Sequence, residues 1–488
     1  MSPQIPKPFP PQPISRRRLF GDMGTCASSI ALAWLLSQDA SAFAGGDEPV
    51  ASPVAPKPSH FAPRAKRVLQ IFCPGAVSHL DTFDYKPELI KRHGQPMPGE
   101  KIVTFQGGNG DLMKSPWGWS QRGQSGKWMS DLLPHLAGCA DDLCFVHSLT
   151  AKSNTHGPAM LQMNTGFVTE GFPSMGAWLG FALGTENQNL PAYVAIPDTR
   201  GFPPNGPANW SNGFLPASYQ GVAFNTDRPI PNIAPPPGSS KAAEKDLRTF
   251  LDQINRDDAA NHPGQSDLAA RIASYALAAR MQLSAPEVSD LSAEPQSIHR
   301  QYGTDSGNPL KAAYARNCIL SRRLLERGVR FVQLFCGAQA SGVDGLLNWD
   351  AHRTLKEDYD RHGAVFDQPT AALINDLKQR GMLQDTLVIW TTEFGRMPTH
   401  QANSLGRDHN PFGFTAFLAG GGSRAGHSHG ATDDFGYKAV VDECSIYDFH
   451  ATILHLLGLN HEKLTFYHNG SRRRLTDVHG KVISGLIG

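Results

Sequence analysis

The stretch Leu387–His409, LVIWTTEFGRMPTHQANSLGRDH, constrains the fold more than any other part of the chain. A continuous apolar run, Leu387–Trp390, stops at Thr391, Thr392 and Glu393. The chain then passes through Gly395 and Arg396 into a polar loop that closes on Gly406–Arg407–Asp408–His409. An apolar run without alternation belongs to a strand buried on both faces, the condition of parallel strands covered by helices. Open α/β sheets keep their sites just beyond the carboxyl ends of such strands, and here that position is charged. Glu393 has the chemistry of a metal ligand, Arg396 and Arg407 that of oxyanion binders, and His409 that of a ligand or proton carrier. The next strand, Phe412–Ala419, begins at once and runs into Gly420–Gly421–Gly422.

The same pattern recurs elsewhere. A first strand at Arg67–Phe72 leads into Ser78–Asp84 (SHLDTFD), where Asp81 either joins a ligand cluster or, with Asp84, caps backbone amides in a turn. Leu143–His147 reads as the second strand. Ser153–Gly157 then opens a methionine-rich helix, Pro158–Asn164, so Thr155 and His156 lie at a helix N-terminus, where free amides and the dipole favour anions. Val329–Phe335 is another apolar strand, followed by a loop to Asn348–Trp349–Asp350–Ala351–His352. In an extended segment Asp350 and His352 project to the same side, a clamp suited to a cation. Helical spacing appears at Trp128–Leu136, Met175–Leu183, Ala242–Leu283, Leu310–Arg327, Arg353–Arg380 (with Gly363 as a possible interruption) and Tyr447–Leu457, and Ala192–Ile196 is a further strand. Strands alternating with helices give the α/β class: a doubly wound, mostly parallel sheet sandwiched by helices, with long loop or cap insertions. His450 and His455 read as structural, and the three arginines of Ser471–Val478 as a solvated face.

The chain has 488 residues, which fits one large α/β domain over 65–488. Residues 198–310 are expected to form a cap or insertion, because Asp198–Pro237 is rich in Pro, Gly and Asn and lacks periodicity. A balance of 45 basic and 44 acidic residues excludes a nucleic-acid-binding charge signature. Arg16–Arg17–Arg18 before the apolar stretch Ile30–Leu36 and the small residues to Ala44 make residues 1–44 a twin-arginine signal, implying the twin-arginine export machinery as partner and a periplasmic or secreted location. That apolar run is well short of the roughly 20 residues a membrane span needs. Residues 45–64 are a Pro-rich linker. No C-x-x-C pair occurs, so zinc knuckles are not expected, and Cys73 and Cys336, which end apolar runs, read as buried thiols.

Several segments in order carry a resemblance over roughly Val68 to Val478: SHLDTFDYKP, FPSMGAWLGFALG, LPAYVAIPD, NWDAH, FDQPTAALINDLKQRGMLQDTLVIWTTEFGRMP, GRDHNPFGFTAFLAGGG and HATILHLLGL. In these the chain resembles the exported bacterial family known as domain of unknown function 1501. That family in turn looks like a branch of the alkaline phosphatase and sulfatase superfamily, which implies an alkaline-phosphatase-like fold with metals at the carboxyl edge of the sheet. Carried over residue by residue, the resemblance implies metal ligands at Asp350 and His352 and at His409, before Asn410–Pro411. The superfamily's Asp-His-Gly corresponds to Glu393–Phe394–Gly395, and its nucleophile position falls on His156, with Thr155 beside it. Three departures follow: a histidine stands at the nucleophile position, Phe394 replaces a histidine, and Asp81 arrives several residues after the first strand.

Two functions are expected from this. One is an exported metal-dependent hydrolase of phosphate or sulfate esters, with sulfated or phosphorylated glycans among the substrates. It would use a divalent ion (Zn, Ca, Mg or Mn) held by Asp81, Asp350, His352, Glu393 and His409, with His156, Thr155, Arg396 and Arg407 as catalytic groups. The other is a non-catalytic exported binding or cell-surface protein that retains the fold.

Overall fold

The computed structural model describes residues 54–488, apart from 100–101, 103, 106–107, 228–239, 263–271, 273–275, 278–280, 282–285 and 340–344. The expected signal (1–44), most of the linker and much of the expected helix after residue 261 lie outside the described residues. Pro53–Gly488 forms one compact unit.

Among the described residues its centre is a sheet of nine strands. In chain order these are β1 (Arg67–Phe72), β2 (Leu143–Thr150), β3 (Tyr193–Ile196), β4 (Val222–Ala223), β5 (Phe331–Phe335), β6 (Thr386–Thr391), β7 (Phe414–Ala419), β8 (Ser428–His429) and β9 (Cys444–Ser445). Across the sheet the order is β8-β2-β7-β6-β1-β5-β3-β4, with β9 also paired to β2. β1 pairs in parallel with both β5 and β6, and β3 with β5 and β4. β7 is antiparallel to both its neighbours, β2 and β6. This explains why it follows the polar loop with no helix between: it starts at the edge where β6 ends and runs back.

The central strands bury both faces. Leu69, Ile71 and Cys73 enter one core layer, and Val68 and Phe72 the other. The first layer is closed by helices α3 (Pro309–Glu326) and α4 (Leu355–Gln379), the second by α2 (Met175–Leu183) and α5 (Ile446–Leu456). The α4 helix is continuous through Gly363. A buried polar network ties α1 (His156–Thr165) to the sheet: Asn164 accepts from Gln70 at 3.2 Å and from Gln333 at 3.0 Å, while Tyr193 OH donates to Gln333 at 2.5 Å. The last turn of α1 is thereby fixed over β1 and β5, which sets where its first residue points.

The expected helix at Trp128–Leu136 is absent. Lys127–Ser130 is a strand paired with Trp119–Arg122, and a 3-10 helix follows at Leu136–Asp142. Lys127 and Met129 turn inward while Trp128 faces out, a period of two that apolar spacing alone disguised. Within the expected cap, Val222–Ala223 joins the main sheet and Lys241–Asn261 is helical. Cys73, Cys139, Cys144, Cys318, Cys336 and Cys444 are free and buried, as read for the first of these and for Cys336. Among the described residues no helix is long and apolar enough to cross a membrane.

Candidate metal centre

Four loops leave the same edge of the sheet and converge. β1 ends in Pro74–Gly75, β2 leads to Asn154–His156, β5 to Asn348–His352 and β6 to Thr392–Arg396. His409 arrives from the other direction, just before β7. It is held opposite Arg396 by a short antiparallel ladder, Gly395↔Asn410 and Arg396↔His409. Asp350 is set by a turn in which its amide donates to Asn348 Oδ1 at 3.0 Å, and Trp349, buried against Tyr359, donates its amide to Pro74 O. The fit is close. A Cβ on Gly75 would lie 2.5 Å from the amide nitrogens of Trp349 and Asp350, and Gly75 adopts a φ of +103°, which L side chains avoid.

The result is a cluster of His156, Asp350, His352 and His409, whose ligating atoms all lie within 4.8 Å of one another. The Nε2 atoms of His352, His156 and His409 stand 2.9, 3.3 and 3.4 Å from one oxygen, Asp350 Oδ1. The Nε2 atoms of His352 and His409 are themselves 3.0 Å apart. Behind, each ring is held through Nδ1: His156 by Glu393 Oε1 at 2.7 Å, His352 by Gln401 Oε1 at 2.7 Å and His409 by the backbone oxygen of Asn154 at 2.6 Å. Those oxygens accept, so each Nδ1 donates, and in the neutral ring each Nε2 presents a lone pair to the centre. Three lone pairs and a carboxylate oxygen facing one another need positive charge between them. His156 Nε2 is buried and has no hydrogen-bond partner among the described residues. This donor set fits a divalent ion of the zinc or manganese kind, with ring nitrogens oriented by outer oxygens as metal-binding histidines usually are.

Charge is already supplied from one side. Arg396 Nη2 donates to Asp350 Oδ1 at 2.6 Å, and its other donors reach Ala76 O, Gly75 O and Arg407 O. Burial would raise the Asp350 carboxyl, but the Arg396 charge and the three imidazoles outweigh it and hold the group well below the usual carboxylate range. Burial would lower His156, yet the Asp350 and Glu393 carboxylates beside it lift it to about 9, so in the ion-free cluster this ring carries the proton that a bound cation would displace. His409 moves the other way, driven well below its ordinary value mainly by burial. Phe394 and Phe105 wall the cluster, with ring centroids each 4.7 Å from that of His409.

Of the sequence-expected residues, His156, Asp350, His352 and His409 come together, and Arg396 and Glu393 adjoin them. Glu393 touches the cluster only through His156, its Oε1 also accepting from Gly75 N at 2.8 Å. Asp81 and Arg407 do not join. They form a fully buried pair, Arg407 Nε to Asp81 Oδ2 at 2.8 Å, and Arg407 also donates to Met397, Pro398 and Met113 oxygens. The physical reason is that Asp81 comes nine residues after the end of β1, in a 3-10 helix (His79–Asp81), where Arg407 and the Ser78 hydroxyl take up its carboxylate. Thr155 is exposed and precedes α1 without a side-chain cap bond. Gln401, Asn154 and Phe105 were missed by sequence reasoning; an amide, a backbone carbonyl and a ring in loops carry no local signal. A cavity of about 460 Å³ adjoins His352, lined by Arg353 and 401–405.

A family model described as "Protein of unknown function (DUF1501)" matches residues 65–487. No curated protein matches the chain. Among solved structures the chain is similar to lipoteichoic acid synthase LtaP from Listeria monocytogenes, at 12% identity and a TM-score of 0.38, covering 83% of this chain and 76% of that one. It is similar to the PsFucS1 sulfatase from Pseudoalteromonas sp. at 12% and 0.34, covering 82% and 69%. The C-terminal periplasmic domain of EcEptC from Escherichia coli, in complex with Zn, follows at 9% and 0.34, covering 84% and 88%.

Proposed function

The chain belongs to the DUF1501 family, and from that premise we propose that it is an exported, metal-dependent hydrolase of phosphate or sulfate esters. The observation that carries the reading is the convergence of three imidazole Nε2 atoms on Asp350 Oδ1, each ring anchored from behind by an acceptor oxygen. His156, Asp350, His352 and His409 would hold the ion. When bound, it supplies Lewis acidity towards an ester oxygen.

The chain's own groups do the rest. Glu393, Gln401 and the Asn154 carbonyl keep the proton on each Nδ1, so the rings stay aimed without reorganising. Arg396 places fixed positive charge beside the position an anionic ester oxygen would take. Phe105 and Phe394 keep water from one side of the imidazoles, which strengthens every electrostatic interaction there. The cavity beside His352 offers room for the rest of an ester substrate, with Arg353 on its wall.

A second reading rests on Arg396 itself. Its guanidinium already neutralises Asp350, so a protein that kept the fold for binding and uses arginine as a resident cation would show the same contact. Assay of chelator-treated protein against aryl phosphate and aryl sulfate esters, with and without added Zn, Mn, Ca or Mg, separates the two. Turnover that returns with a divalent ion and vanishes in Asp350→Ala supports the hydrolase; absence of turnover with every ion supports the binding protein.

A further inference from the structure

The loop after β3 belongs to the expected cap or insertion, and it reaches α1 at both ends of that helix. Its base is fixed at the sheet edge, where Asp198 Oδ2 accepts from Gly337 N at 2.8 Å. Arg200 donates to both Asp198 oxygens, at 2.8 and 2.7 Å, and to His362 Nδ1 on α4 at 3.1 Å. A 3-10 helix follows at Gly206–Trp210 and buries Asn209 and Trp210; the Trp210 ring centroid lies 5.8 Å from that of Phe335 on β5. Asn209 Oδ1 accepts from Asn164 Nδ2 at 2.9 Å, while Asn209 Nδ2 donates to Pro204 O and Gly206 O. A side chain anchored in the loop thus holds the last turn of α1.

Asn205 holds the first turn. Its Nδ2 donates to Gly157 O at 2.7 Å, one residue past His156. It does so from a φ of +62°, a left-handed conformation open to asparagine more than to most side chains. Gly157 admits this approach, because a Cβ there would stand 3.0 Å from Asn205 Oδ1. Thr155, just before α1, makes no side-chain cap bond, so its own side chain does not fix the turn. His156 is also the open member of the cluster. Its side chain is 21% exposed, against 2% for His352 and 1% for His409, so packing constrains its ring least. We propose that Asn205 is a positioning residue of the metal centre: by holding Gly157 it sets the first turn of α1 and aims His156 Nε2 at Asp350 Oδ1.

The inference rests on the metal-centre reading, and titration of the full chain with Zn²⁺ against a competing chelator tests the two separately. Asn205→Gly suits the left-handed backbone and removes only the amide, so it should bind Zn²⁺ about tenfold more weakly than the unsubstituted chain. Asn205→Asp, which sets an acceptor against the Gly157 carbonyl, should show a similar loss. In a His156→Ala background Asn205→Gly should cost nothing further, because the ring it acts through is gone. A merely structural role would lower affinity in both backgrounds alike. Gly157→Ala crowds the same contact from the α1 side and should reproduce the loss, which keeps the test open if Asn205→Gly fails to fold. Unchanged affinity in the Asn205 variants, or an equal further loss in the His156→Ala background, would overturn the proposal and leave the metal centre standing. An unsubstituted chain that binds no Zn²⁺ would overturn both.

Discussion

Arg396 Nη2 and Asp350 Oδ1 meet at 2.6 Å, at the point where three imidazole nitrogens also converge. A monovalent guanidinium and a divalent ion would share one carboxylate there, and they repel. Under the hydrolase reading Arg396→Gln therefore tightens metal binding while slowing ester cleavage, because the charge facing the ester oxygen is gone. Under the binding reading the same change only removes one partner of a buried pair, which costs about 3–5 kcal/mol of stability. Metal titration of Arg396→Gln beside the unsubstituted chain reads the difference; unchanged or weaker affinity counts against the metal centre.

The outer oxygens give a graded prediction. Glu393→Gln weakens the acceptor behind His156, and Gln401→Ala removes the one behind His352. Each is expected to lower metal affinity about ten- to a hundredfold without loss of fold. Competition with a fluorescent chelator measures it. Affinities equal to wild type in both variants would mean that ring orientation is not set from behind.

Asp81 and Arg407 should behave in the opposite way. The pair is fully buried and removed from the cluster, so Asp81→Asn is expected to cost about 3–5 kcal/mol in urea unfolding. Metal content per folded chain should not change. Loss of metal with stability intact would restore Asp81 to the site.

Two buried histidines predict how stability follows pH. Burial, with the Arg200 charge behind it, pushes His362 down to about 3, and burial pushes His450 down to about 4. Their unfolded values lie near 6.5. A base whose folded value is depressed stays neutral in the fold while the unfolded chain takes up the proton. The stability is thus present above about 6.5 and is lost as pH falls towards the folded values, at about 1.4 kcal/mol per pH unit for each ring. Urea midpoints should fall between about pH 7 and about pH 5, and His450→Gln should flatten that slope. A slope unchanged by the substitution would assign the loss to other groups.

Much of this was legible in the sequence because parallel strands announce themselves as unbroken apolar runs. Arg67–Phe72 and Met175–Leu183 agree with the reading to the residue, and the strand at 386–391 to within one. The charged strand ends pointed to the edge of the sheet where His156, Asp350, His352 and His409 gather. What the sequence hid depends on rotation and long-range contact. Asp81 and Glu393 both follow a strand end, yet one turns to Arg407 and the other reaches His156, and only the packed loops decide which. Trp128 is the other lesson: in the short hairpin Trp119–Ser130, burial alternates over too few residues to stand out against helical spacing.

The central claim is that the cluster is built for a cation, and elemental analysis of chelator-free protein tests it most directly. The account predicts about one divalent ion per chain, lost from His352→Ala and from His409→Ala while both variants remain folded. A folded wild-type chain that carries no divalent ion, even after incubation with Zn, Mn, Ca and Mg, would contradict it.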